Sequence, residues 1–111
     1  MPLLSVSTSI EIHEKNLFLK NCSRLVSNLT NKPEQYVMVR LFDQIPMYFN
    51  MEQSPSCFID LKSIGSLNPS EMSKEISTFI SNQIGIPANR VYICFEDINA
   101  HNWSWNGKTF G

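Results

Sequence analysis

At 111 residues the chain has room for one small domain, spanning residues 1–111. Aliphatic, aromatic and cysteine residues make up 42% of it, enough for a core and too many for intrinsic disorder. Nine Lys and Arg against ten Asp and Glu leave a net charge of −1, without the basic excess of a nucleic-acid binder, and no apolar run nears the roughly 20 residues of a membrane span.

Charged residues are only 17% of the chain, below the usual share of about a quarter. A lightly charged surface suggests that part of it is covered by other copies of the chain. The N-terminus has no basic start followed by a long apolar stretch, so no secretory signal is expected. A cytoplasmic location follows as the expectation, with secretion that bypasses a signal peptide as the alternative.

Leu4 and Val6, two residues apart, mark a first strand. Phe18, Cys22, Leu25 and Val26 are spaced by four, three and one, the stripe of an amphipathic helix. Asn31 suits the left-handed residue that ends a helix, and Pro33 stops it from continuing. Val37, Val39 and Leu41 then form one face of a strand. Displaced by 54 positions, the pattern returns: Pro33 falls on Pro87, and Val37, Val39 and Leu41 fall on Val91, Ile93 and Phe95. The first helix's apolar set falls on Met72, Ile76, Phe79 and Ile80, and Asn31 falls on Gly85. With one residue of slippage Leu4 and Val6 fall on Ile59 and Leu61. Asn68, Pro69 and Glu71 predict a capping box with proline at the first helical position.

Each half, about 2–43 and 56–96, therefore reads as strand, helix, strand. A unit of that kind makes a parallel strand pair with a right-handed crossover. The expected fold is α+β, two repeated β-α-β units giving a four-stranded sheet with two helices on one face. The other sheet face would carry Tyr36, Met38, Arg40, Phe42, Tyr92, Cys94 and Glu96, with Ser5, Ser7, Phe58 and Asp60 nearby. It is too apolar for water and too polar for a core, so cover by another subunit is expected. The segment 98–111 differs: Trp103, Trp105 and Phe110 flank an Asn106-Gly107 hairpin signal. Cys22, Cys57 and Cys94 are odd in number and far apart in sequence, and His13 and His101 are isolated, so no metal site, cofactor or disulfide framework is expected.

Five pieces stand in order along the chain: Pro2 after Met1, Asn31-Lys32-Pro33-Glu34-Gln35-Tyr36, Ser63-Ile64-Gly65, Arg90-Val91-Tyr92-Ile93, and Trp105-Asn106-Gly107 followed by Thr109-Phe110. With them the sequence resembles the macrophage migration inhibitory factor family of the tautomerase superfamily over nearly its whole length. It implies a homotrimer with active sites between adjacent subunits and keto–enol tautomerisation of phenylpyruvate-type aromatic α-keto acids or dopachrome-like compounds. Pro2 is the implied catalytic base after removal of Met1. Lys32, Tyr36, Ile64, Tyr92, Trp105 and Phe110 are the implied substrate contacts, with Tyr92 supplied by the neighbouring subunit. The chemistry agrees with those residue types. A proton-transfer base works best with a pKa near neutrality, and apolar burial beside a cation lowers that of an amine. Lys32 would supply that charge and attract a substrate carboxylate.

Taken singly, these residues read more plainly. Pro2 is a common second residue, Lys32 a solvated cation near a helix end, Tyr36 and Tyr92 half-buried strand tyrosines, and Trp105 and Phe110 packing. The family resemblance also implies a second function, a cytokine-like protein binding a cell-surface receptor over a vestigial pocket, and a trimeric scaffold is a third reading. This chain departs from the mammalian pattern in having Cys57 alone where a Cys-x-x-Cys enters the third strand. Cys94 replaces a pocket asparagine, Trp103 replaces a smaller aliphatic, and Asn50-Met51 replaces Gly-Gly.

Overall fold

The computed structural model describes all 111 residues, Met1–Gly111. Strand β1 (Pro2–Thr8) leads into helix α1 (Lys15–Thr30) and strand β2 (Met38–Phe42). Strand β3 (Cys57–Ser63), helix α2 (Pro69–Ile84) and strand β4 (Val91–Asp97) repeat that arrangement. The sheet order is β2-β1-β3-β4. β1 runs parallel to β2 and β3 parallel to β4, as strand–helix–strand crossovers require, while β1 and β3 meet antiparallel at the centre. Two equivalent units joined by antiparallel first strands are related by an approximate twofold axis. That is the physical content of the 54-residue displacement.

Period-two alternation divides the sheet cleanly. Leu4 and Val6 lie opposite Leu61 and Ile59, and all four are at most 1% exposed. They pack against Phe18, Cys22 and Val26 of α1 and Met72, Ile76 and Ile80 of α2, the stripes expected on the two helices. Val37, Val39, Leu41, Val91, Ile93 and Phe95 flank this core on the helix side. The opposite face is mixed. Met38 is 63% and Tyr92 60% exposed, Arg40 Nε donates to Ser5 Oγ at 2.8 Å, and Lys62 Nζ stands 3.8 Å from Glu96.

Helix ends follow the expected chemistry with one correction. Asn31 (φ 56°) and Gly85 (φ 74°) both take the left-handed conformation that ends α1 and α2. Pro69 opens α2, but the capping box does not form: no side chain caps that helix. Asn68 offers its backbone carbonyl to Met72 N–H at 2.9 Å, and its own N–H faces the Met72 sulfur at 3.5 Å. Proline has already removed one orphan donor, and the exposed first turn leaves the others to water. Tyr36 also departs from expectation. It lies in a 3-10 turn, Glu34–Tyr36, that precedes β2, because Pro33 tightens the chain before extension begins. The C-terminal segment makes the expected hairpin, with strands β5 (Ser104–Trp105) and β6 (Lys108–Thr109) joined through Asn106 (φ 52°) and Gly107 (φ 80°).

Candidate active site

Pro2 begins β1 and is buried, its side chain on the helix-facing side with Leu4 and Val6. Its cross-strand partner is Ser63, which lies opposite Asp97 of β4. α1 runs back over the sheet, so its C-terminal turn returns to the same end. There Ser27 Oγ donates to the Lys32 carbonyl at 2.6 Å and fixes the turn that carries Lys32. Lys32 is half-buried. The α-amino group of Met1 is held below its ordinary value, first by burial and then by the positive charge of Lys32. The start of the chain and Lys32 thus share one electrostatic environment, and that environment disfavours an ammonium.

Ile64 follows Ser63 in a turn tethered on both sides. Ile98 N–H donates to Ser63 O at 2.8 Å, and Gly65 N–H donates to Asp97 Oδ1 at 2.9 Å. Gly65 and Ser66 are both left-handed, at φ 70° and 61°. Ser63 Oγ is buried without a hydrogen-bond partner beside this turn. Tyr36 stands two residues before Met38, the partner of Leu3, so it belongs to the same sheet end. Its ring meets Trp105 edge-on, with centroids 6.1 Å apart and planes at 87°. Phe110 N–H donates to Trp103 O at 3.0 Å, which ties the last aromatic residue back to the hairpin. Trp103 itself lines a concavity of about 370 Å³ with Leu3, Met38, Lys62, Ile98 and Asn102, on the open sheet face.

Tyr92 lies elsewhere. It pairs with Phe58, which pairs with Ser7, whereas Pro2 shares its row with Ser63 and Asp97. Five residues along a strand and two strand spacings put Tyr92 roughly 19 Å from Pro2 in the same protomer. Phe49 packs against it, and Arg90 packs against Phe49 in turn. The Phe49 ring lies 4.7 Å from the Tyr92 ring, and the Arg90 guanidinium lies 4.9 Å from the centroid of Phe49. Arg90 appeared in the sequence only as part of a motif, and nothing in its spacing marks it as buried.

The cysteines are separate in sequence but not all in space. Cys57 is close enough to Cys22 to influence its ionisation, although burial is the main cause that pushes the Cys22 thiol up to about 12. Burial likewise pushes Cys57 up to about 12. Cys94 is exposed, and all three thiols are free. No group of His, Cys, Asp or Glu residues is arranged to hold a metal ion. No helix is long and apolar enough to cross a membrane.

Two β-α-β units on a mixed four-stranded sheet, with a proline-led strand and a lysine at one sheet end, define the class of protein. The family model for macrophage migration inhibitory factor matches residues 1–111. The homologue from Trichinella spiralis is 34% identical over 114 aligned positions, covering 99% of this chain and all of that protein. The factor from Xenopus tropicalis is 32% identical at 99% coverage of both. Among solved structures, the homologue from Prochlorococcus marinus superposes with a TM-score of 0.93 at 39% identity, covering 98% of this chain and 99% of that one. The chain belongs to the macrophage migration inhibitory factor family, within the tautomerase superfamily of isomerases.

Proposed function

We propose that the chain is a keto–enol tautomerase of small aromatic α-keto acids of the phenylpyruvate type, or of dopachrome-like compounds, with Pro2 as base once Met1 is removed. The observation that carries this reading is the electrostatic environment at the chain start. Burial and Lys32 together hold the Met1 amine at the chain start below its ordinary value, which favours the neutral form able to accept a proton. With Met1 removed, the Pro2 nitrogen becomes a secondary amine at the head of a buried strand. It takes a proton from the carbon α to the substrate carbonyl, and the electron pair moves onto the carbonyl oxygen. Reprotonation on oxygen completes the enol, and the reverse sequence returns the ketone.

Lys32 binds the substrate carboxylate as a point charge and steadies the developing enolate. Ile64, Tyr36, Trp105 and Phe110 hold the aromatic ring. Tyr92 of an adjacent subunit completes the pocket in a homotrimer. Its distance from Pro2 within the protomer, and the mixed sheet face left open, both favour that arrangement.

The test compares three proteins of verified mass: the chain starting at Pro2, the chain retaining Met1, and Pro2→Gly. Phenylpyruvate enolisation is followed by ultraviolet absorbance. The first should be active, with a rate that rises as an ionisation below the roughly 7.7–8.0 of an ordinary α-amino group is crossed. Retained Met1 ties the nitrogen into an amide without a basic lone pair and should abolish turnover, and Pro2→Gly should reduce it strongly. Full activity with Met1 attached would remove Pro2 as the base. A folded trimer with no activity in any form would leave receptor binding or a scaffold role as the function.

A further inference from the structure

The geometry points to Phe49 as the positioning residue for Tyr92, with Arg90 as the anchor that holds Phe49 in place; this rests on the reading of Tyr92 as a substrate contact given above. The chain between β2 and β3 makes a tight reversal in which Phe49 and Glu52 exchange both backbone hydrogen bonds, at 3.0 and 3.2 Å. Asn50 and Met51 between them are both left-handed, at φ 54° and 62°. Methionine rarely takes that conformation, and Met51 is 82% exposed, so its own packing does not hold the turn.

Arg90 does hold it. Its side chain is only 7% exposed, and its guanidinium reaches into the segment with every nitrogen engaged. Nη1 donates to Phe49 O at 2.8 Å and faces Glu52 Oε1 at 3.4 Å. Nη2 donates to Ser54 O at 2.8 Å, and Nε donates to Pro55 O at 3.2 Å. The same guanidinium covers the Phe49 ring. That ring in turn packs against Tyr92 at 4.7 Å with planes at 56°.

Tyr92 is 60% exposed on a sheet face that has no core beneath it. A side chain in that position samples several rotamers unless a neighbour restricts it. Phe49 is that neighbour within the protomer. An ordered Tyr92 binds ligand without first losing rotamer freedom, so the benefit falls on substrate affinity and not on proton transfer. Arg90 is part of the fold as well as of this stack, so the test turns on Phe49.

The experiment uses the full chain starting at Pro2, with phenylpyruvate as probe. Phe49→Leu should raise KM about three- to tenfold, the range of one lost aromatic pair. It should leave the pH limb of the rate unmoved, because Pro2 is untouched. Phe49→Tyr, which restores a ring, should return KM to within twofold of the unsubstituted chain. Tyr92→Ala should raise KM, and adding Phe49→Leu to it should raise KM no further. Multiplying effects in the double variant, or an unchanged KM in Phe49→Leu beside a raised one in Tyr92→Ala, would overturn the positioning role. An unchanged KM in Tyr92→Ala would overturn the substrate-contact reading and the positioning with it. Proton NMR of the unsubstituted chain adds a readout that needs no variant to fold: ring protons of Tyr92 should be shifted by the Phe49 ring current, and random-coil shifts would overturn the stack.

Discussion

Replacing Arg90 by methionine keeps the stem and removes the guanidinium. The loss can be worked from its partners. Phe49 O keeps a second donor, Glu52 N–H at 3.2 Å, and so is not orphaned. Glu52 is 53% exposed, and an ion pair to so exposed a carboxylate contributes about 0–1 kcal/mol. Ser54 O and Pro55 O lose the donors described above. Each such bond to a charged donor carries roughly 1.5–3 kcal/mol, reduced where water can replace it. The chain 49–55 lies at the surface, so partial rehydration brings the expected total to roughly 3 kcal/mol. The assay is urea unfolding at fixed protomer concentration, because association would otherwise shift the apparent stability. The midpoint should fall with little change in slope, and a protease should cut first within 49–55. A change below about 0.5 kcal/mol would place Arg90 among ordinary surface residues and refute the accounting.

Lys32→Ala should weaken binding of a carboxylate substrate by about 1.5–3 kcal/mol, roughly 10- to 150-fold, and leave binding of its methyl ester nearly unchanged; equal losses would make Lys32 a bystander. In the chain retaining Met1, Lys32→Gln should raise the terminal amine back toward its ordinary value, as read by pH-dependent amine labelling or NMR. The folded amine lies below its unfolded value, so its contribution to stability is full above the unfolded value of about 8 and is lost as pH falls through the folded one. No more than one thiol, Cys94, should react with a disulfide reagent at pH 8 in the native protein, and three should react after unfolding; rapid reaction of two native thiols would contradict the burial of Cys22 and Cys57.

Periodicity carried the fold. The apolar positions of both helices and all four main strands were legible because each must bury one face, and burial dictates spacing. The left-handed Asn31 and Gly85 were legible because a helix end needs them. The capping box at Asn68 was misread because several partners, water among them, satisfy a helix start equally well, so the motif does not force the bond. The tethers of Ile64 by Asp97 and Ile98 run between the turn after β3 and the end of β4, and no local pattern announces them. Arg90 and Phe49 were missed for a related reason. A buried arginine is defined by carbonyls it meets from 35 to 41 residues away, and one sequence does not display such pairings. Cys22 and Cys57, distant in the chain, were likewise brought together by packing.

The approximate twofold axis offers two equivalent corners, one at the C-terminal end of each helix, and the chain treats them differently. Displaced by 54 positions, Lys32 falls on Ile86 and Tyr36 on Arg90. In the second corner Ile86 is 1% exposed and sits in the core, and Arg90 turns inward to bind the carbonyls of 49–55. An aliphatic residue and a clamped segment fill that space. In the first corner Lys32 and Tyr36 stay half-buried, the Lys32 charge acting on the amine at the start of the chain and the Tyr36 ring meeting Trp105 edge-on. Lys32 thus acts on the amine at the start of the chain, whereas the cation of the second corner, Arg90, is committed to the carbonyls of 49–55. The same fold element therefore serves as a candidate proton-transfer corner in one repeat and as a structural latch in the other. The latch is also where Phe49 meets Tyr92.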